Sequence, residues 1–231
     1  KLEDQEVKGK VIELPLGAKT TPRLGVIDLP SFYATIDLGG PKSPELAGEG
    51  SGAGRPTPRS TSADVARLLK KFTEEKVAGV ILDLRRNGGG SLEEAIKLAG
   101  LFIKEGPVVQ VRASDDTLLV REDTDPSVAY DGPLIVLTSR FSASASEIVA
   151  GALQDYGRAL VVGDISTHGK GTVQNLNPLR FWVKPTTATA TNDPGQLKVT
   201  IQKFYRASGA STQLKGVMPD IVLPSVFNYS K

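Results

Sequence analysis

Three times in this sequence a short apolar run is followed by a helical pattern, and this recurrence constrains the fold more than any other feature. The three units join residues 24–29 to 62–76, 79–85 to 91–103, and 134–138 to 143–156. Strands with so few polar residues are typical of sheets whose parallel strands are covered by helices. The sequence therefore predicts an α/β fold with a mixed, mainly parallel β-sheet covered by helices.

Other segments predict strands outside these units. They are residues 7–14, 108–112, 118–121, 159–162 and 197–206. The two strands on either side of Asp115 and Asp116 are predicted to form a β-hairpin. In the last segment polar and apolar residues alternate with period two, which is typical of a half-exposed strand. Residues 39–60 are rich in Gly, Pro and Ser and predict a flexible surface loop, either a tolerated insertion or a flap near the active site.

The bulk composition limits the classes of protein that the chain can belong to. Its 231 residues fit one large domain, or one domain with a small appendage. A net charge of +2, with no basic cluster of five, gives no argument for a nucleic-acid partner. The sequence predicts neither a transmembrane segment, because no apolar run is long enough, nor a signal peptide. The start at Lys1 indicates a fragment or a processed form.

Two scarce residue types narrow the chemistry further. The chain has no Cys, which rules out a thiol nucleophile, a disulfide and a thiolate metal site. It has one His, His168, whereas a catalytic zinc site usually needs several His or Cys ligands. The composition therefore argues against catalytic zinc, and any Ser-His-Asp triad must use His168, with Asp164 or Asp155 as its acid.

Three serines separated by alanines lie where an apolar strand turns into a helix. Ser142, Ser144 and Ser146 are each candidate nucleophiles by position, because a helix start offers free backbone N–H groups beside a hydroxyl. They could equally be helix caps. Downstream, Lys170 stands between two glycines, and it could act as a base if its environment lowered its pKa from the usual value of about 10.4. The alternative is an ordinary lysine in a turn.

An acyl-transfer site also needs donors for an oxyanion. One candidate donor is the backbone N–H of the residue after the nucleophile, and another is a glycine N–H in the run 88–90. That run lacks the Lys-Ser/Thr of a phosphate-binding P-loop.

Asp155 follows Ser144 by eleven residues, and a continuous helix would separate the two by about 16 Å. We therefore expect Asp155 to be structural and to pair with Arg158.

As an ordered set, several segments resemble the C-terminal processing proteases, most closely the bacterial tail-specific proteases. The segments are DLRRNGGG at 83–90, FSASASEI at 141–148, QDYGRALVVG at 154–163, GKGTVQ at 169–174, TIQKFYR at 200–206 and KGVMPDI at 215–221. The resemblance implies a ββα-repeat core of the crotonase and ClpP type. It also implies Ser144 as nucleophile, Lys170 as general base, Gln174 as the residue that orients the lysine, and Gly89 and Ala145 as oxyanion donors.

The resemblance further implies a serine endopeptidase that needs no metal or cofactor and cleaves proteins or peptides near their C-termini, with apolar tails preferred. It implies a place in the bacterial periplasm or cell envelope, and an adaptor protein as a further partner. This chain departs from the family in two ways. The turn before the lysine, at 165–168, is one residue longer, and no PDZ domain fits, so residues 1–231 read as the catalytic core. The alternative is a non-catalytic binding module on the same fold. The sequence argues against it, because a residue suited to catalysis occupies every presumed catalytic position.

Overall fold

The computed structural model of the chain describes residues 5–15, 21–34, 59–182 and 194–226. The predicted loop at 39–60 falls outside these residues except for its last two positions. In chain order the elements are β1 (Lys8–Glu13), β2 (Arg23–Asp28), α1 (Thr61–Glu74), β3 (Gly79–Asp83), α2 (Leu92–Gly100), β4 (Gly106–Arg112), β5 (Leu118–Asp123), β6 (Leu134–Thr138), α3 (Ala145–Asp155), β7 (Leu160–Gly163), β8 (Thr172–Pro178), β9 (Gln196–Arg206) and β10 (Ile221–Val222).

The main sheet has six strands in the order β1-β2-β3-β6-β7-β10. All neighbours in it are parallel except β1, which runs antiparallel to β2. Each of β2, β3 and β6 is followed along the chain by one of the three helices. The predicted α/β class, with a mixed and mainly parallel sheet covered by helices, is therefore confirmed.

The core lies between this sheet and the helices. One row of side chains crosses four adjacent strands in register, and each member is fully buried: Ile27, Leu82, Val136 and Val161. Helix α1 adds Val65, Leu69 and Phe72 at helical spacing to the same core. The next row along the strands points the other way, and it is half-buried or exposed: Val26, Ile81, Ile135 and Leu160.

A second, antiparallel sheet has the order β5-β4-β9-β8. It contains the predicted hairpin of β4 and β5, with Asp115 and Asp116 in its turn. The sequence analysis did not predict β8, which is an edge strand paired with β9. Its sequence carries two Asn and ends in Pro178, residue types that are depleted in strands, so only the partner strand stabilises its extended conformation.

Asp155 joins helix α3 to the second sheet. Its Oδ1 lies 2.6 Å from Arg206 Nη2, and its Oδ2 accepts a hydrogen bond from Ser208 Oγ at 2.9 Å. The expected pairing with Arg158 is wrong, because Arg158 donates instead to backbone carbonyls, among them that of Tyr130. Asp155 therefore fixes β9 against the carboxyl end of α3. No helix within the described ranges is long and apolar enough to span a membrane.

We predict that Asp155→Ala lowers the free energy of unfolding by about 2–4 kcal/mol, because the largely buried Arg206 guanidinium loses its carboxylate partner and keeps only neutral acceptors, Gly151 and Gln154. Only 15% and 16% of the Arg206 and Asp155 side chains are exposed. Chemical denaturation measures the change. Glu93→Ala, which breaks an exposed pair with Arg121, is the control and costs less than about 1 kcal/mol. Equal losses in the two variants would contradict this role for Asp155.

Candidate active site

The three serines at the start of α3 have three different environments. Ser142 and Ser146 are fully buried, and their hydroxyls donate at 2.8 Å to the carbonyl oxygens of Leu84 and Asn87 respectively. Ser144 instead lines a cleft of about 800 Å³. Two of the hydroxyls therefore tie the helix start to the turn after β3, and Ser144 is the one that faces the cleft.

The backbone of Ser144 is strained. Its φ is 59° and its ψ is −112°, a conformation that costs a residue with a Cβ about 1–3 kcal/mol and persists only when its surroundings impose it. The Ser144 N–H donates to Glu147 Oε2 at 2.7 Å. This hydrogen bond holds the residue at the turn and exposes its side chain to the cleft.

Glu147 is the centre of the hydrogen-bond network at this site. Its side chain is fully buried. Oε1 accepts from Thr167 Oγ1 and from Gly169 N–H, both at 2.7 Å. Oε2 accepts from Ser144 N–H at 2.7 Å and from Lys170 N–H at 3.0 Å. One carboxylate therefore joins the segment that carries the serine to the loop that carries the lysine.

The sequence analysis did not single out Glu147, although a signal was present. A Ser followed three residues later by Glu at a helix start is the pattern of a capping box. That pattern predicts the hydrogen bond between Glu147 and Ser144, but not those to the distant residues 167–170.

Lys170 lies in the same cleft as Ser144 and Gln174. Its Nζ donates to Gln174 Oε1 at 3.2 Å, which holds the end of the flexible side chain. Burial lowers the pKa of Lys170, the positive charge of Lys198 lowers it further, and the negative charge of Glu147 acts in the opposite direction. A lowered pKa increases the neutral fraction that can accept a proton.

The turn at 165–168, which the sequence analysis expects to be one residue longer than in the family, is held by its own contacts. His168 N–H donates to the Ser142 carbonyl at 3.0 Å. Thr167 pairs with Val217, whose N–H donates to Thr167 Oγ1 at 2.7 Å. Residues 165–168 therefore form a loop docked against the start of α3 and against the chain near residue 217.

A triad through His168 is not assembled. The His168 side chain is exposed and is absent from the residues that line the Ser144 cleft. Asp164 accepts from the Arg140 N–H at 2.9 Å, and Asp155 lies at the far end of α3. Among the described residues, no hydrogen bond joins the imidazole to either aspartate or to Ser144.

Asn87 shapes the turn that follows β3. It is fully buried, and its Nδ2 donates to the Leu29 carbonyl at 2.9 Å. Its Oδ1 accepts the Gly89 N–H at 2.8 Å, and its own carbonyl accepts from Ala143 N–H and Ser146 Oγ. The glycine turn is thus fixed to the serine turn by a single asparagine.

Gly89 lies directly against the start of α3. A Cβ there would lie 2.8 Å from Ser144 Cβ and 3.2 Å from the Ala145 nitrogen, and the φ of 107° also favours glycine. The Ala145 N–H is the first of its helix, where no intrahelical acceptor exists. The Gly89 N–H already donates to Asn87 Oδ1. Gly88 and Gly90, in contrast, line the cleft.

Comparison with known proteins identifies the family. Residues 23–223 match peptidase family S41. The chain is 40% identical over 228 residues to a tail-specific protease of Haemophilus influenzae, covering 99% of this chain and 28% of that protein. It is 32% identical to carboxyl-terminal-processing peptidase 2, chloroplastic, of Arabidopsis thaliana, covering 96% of this chain and 36% of that protein. The chain belongs to peptidase family S41.

A solved structure agrees with this assignment. The photosystem II D1 C-terminal processing protease superposes with a TM-score of 0.68 at 26% identity, covering 94% of this chain and 48% of that one. The chain thus spans about a third of the two curated relatives and about half of this structure. In the part of the chain that the structure describes, no group of three or more His, Asp or Glu side chains is arranged to hold a metal ion.

We predict that Glu147→Gln slows covalent labelling of Ser144 by a serine-directed fluorophosphonate by about 100-fold, a loss typical of misplacing a reacting group by about 1 Å. The oxygen of a carboxamide can replace only one of the two carboxylate oxygens, so its NH₂ group faces either the N–H groups of Ser144 and Lys170 or the donors of Thr167 and Gly169. Labelling followed by mass spectrometry gives the rate.

Glu94→Gln is the matched control. Glu94 is also buried, at 3% exposure, but its carboxylate accepts from Ser60 and Ser62 at the start of α1. We expect both variants to lose stability and Glu94→Gln to change the labelling rate by less than about threefold. Wild-type labelling in Glu147→Gln would contradict the central position of this carboxylate.

Proposed function

We propose that this chain is the catalytic core of a serine endopeptidase that cleaves near protein C-termini, with Ser144 as nucleophile and Lys170 as general base. The observation that carries the proposal is that Glu147 holds the backbones of both residues at one cleft. Membership of peptidase family S41, and relatives named as tail-specific and carboxyl-terminal-processing enzymes, support the same reaction.

In the proposed mechanism, neutral Lys170 takes the proton of the Ser144 hydroxyl while its oxygen attacks a peptide carbonyl. The N–H of Ala145 stabilises the oxyanion. The family resemblance assigns the second donor in the turn 88–90 to Gly89, whose N–H must leave Asn87 Oδ1 to take this part. Lys170 then gives its proton to the leaving amine. Water, deprotonated by Lys170, hydrolyses the acyl-enzyme and restores the Ser144 hydroxyl. Gln174 accepts from Lys170 Nζ and keeps it aimed into the cleft.

The cleft supports substrates with apolar tails. The apolar residues that line it include Phe32, Leu92, Ile148, Val173, Leu176 and Phe204. Such a surface favours apolar residues because their burial removes apolar area from water. We propose protein and peptide substrates with apolar C-terminal tails, an adaptor as a further partner, and a place in the bacterial periplasm or cell envelope, in line with the bacterial tail-specific relative.

The test compares wild type, Ser144→Ala and Lys170→Ala for cleavage of an apolar-tailed peptide and for labelling by the fluorophosphonate. We expect Ser144→Ala to lose both, and Lys170→Ala to lose about 10²–10⁴-fold in kcat, the usual contribution of general base catalysis. His168→Ala, which changes an exposed side chain, is the control and keeps wild-type rates.

Two results would overturn the proposal. Equal labelling of Lys170→Ala and wild type would remove the lysine as base, and loss of activity in His168→Ala would make the histidine part of the site. A wild-type chain that neither labels nor cleaves would favour the non-catalytic binding module.

The pH dependence of kcat/KM gives a separate prediction. The rate rises with pH as Lys170 loses its proton, and the positive charge of Lys198 lowers the pKa of Lys170. Lys198→Gln removes that charge, so the rising limb moves to higher pH. Lys203→Gln is the control, because Lys203 lies on the same strand but lines a different pocket. It leaves the rising limb of the pH profile in place. A limb that stays or moves to lower pH in Lys198→Gln contradicts Lys170 as the titrating base.

A further inference from the structure

The charges in the Ser144 cleft are all of one sign. Among the described residues that line it, the charged side chains are Lys170 and Lys198, and none is a carboxylate. The other lining side chains are apolar or neutral. A cleft of this kind suits an apolar ligand that carries one negative group.

Lys198 is placed to act on such a ligand. It lies on β9, opposite Leu176 of β8, and its side chain is exposed at the wall of the cleft. No salt bridge joins it to an acidic side chain within the described ranges, in contrast to Arg206, which is paired with Asp155. Lys198 and Lys170 line the same cleft.

An apolar peptide tail has one obligatory anion, the carboxylate at its C-terminus. Of the two lysines in the cleft, Lys170 acts as the base and must be neutral to do so, which leaves Lys198 as the partner for an anionic group of the ligand. Resting on the function proposed above, we propose that Lys198 binds the C-terminal carboxylate of the substrate tail. The catalytic core then selects the chain end itself.

Binding at this point also sets where the chain is cut. An extended peptide advances about 3.3 Å per residue, so a carboxylate held at a fixed place in the Ser144 cleft fixes the number of residues between the cut and the chain end. The released fragment from an apolar tail is therefore short and of defined length.

The test uses two peptides with the same apolar tail, one ending in a free carboxylate and one in a carboxamide. The ratio of their kcat/KM values is measured at one pH for wild type, Lys198→Gln, Lys198→Arg and Lys203→Gln. Because each ratio is taken within one enzyme, any change in the basicity of Lys170 affects both peptides and largely cancels.

We expect wild type to prefer the carboxylate by about fivefold, the size of an ion pair in a partly open cleft. Lys198→Arg and Lys203→Gln keep this preference, and Lys198→Gln reduces the ratio to about one. Added salt lowers the wild-type ratio because it screens the pair.

A wild-type ratio near one, or an unchanged preference in Lys198→Gln, overturns the assignment of Lys198. In both cases, cleavage of the carboxamide peptide shows that the proposed peptidase function stands even though Lys198 does not bind the carboxylate. If wild type cleaves neither peptide and Ser144 does not label, the proposed function fails and this inference fails with it.

Discussion

The candidate active site depends on the buried carboxylate of Glu147. Its two oxygens accept four hydrogen bonds, two from the backbone of Ser144 and Lys170 and two from Thr167 and Gly169. This carboxylate holds Ser144 in a strained conformation that the residue would otherwise leave. It has an electrostatic cost, since its negative charge favours protonated Lys170, and burial and the charge of Lys198 act against that effect.

The topology of the main sheet explains why residues far apart in sequence meet at this carboxylate. Strands β3, β6 and β7 are parallel neighbours, so the turns after their carboxyl ends lie side by side. The glycine turn follows β3, Ser144 follows β6 and the lysine loop follows β7. The second sheet then adds Gln174 from β8 and Lys198 from β9 to the cleft wall.

The fold was largely predictable because central strands are buried and therefore consist mostly of apolar residues, as in 79–83 and 134–138. The edge strand β8 was missed, since its extended form depends on β9 and not on its own residues. The resemblance placed Ser144, Lys170 and Gln174, which the structure brings to one cleft. It could not reveal the hydrogen bonds of Glu147 to residues 167–170, because tertiary partners leave no local pattern. The pairing of Asp155 with Arg206 was hidden for the same reason.

A crystal structure with a peptide boronate bonded to Ser144 tests the central claim most directly. We predict that Lys170 Nζ lies within about 3.2 Å of Ser144 Oγ, that a boronate oxygen lies within the same distance of the Ala145 N–H, and that Glu147 keeps its four donors. A lysine Nζ more than about 4 Å from Ser144 Oγ, with Glu147 still bound to both backbones, would contradict the pairing of serine and lysine through one carboxylate.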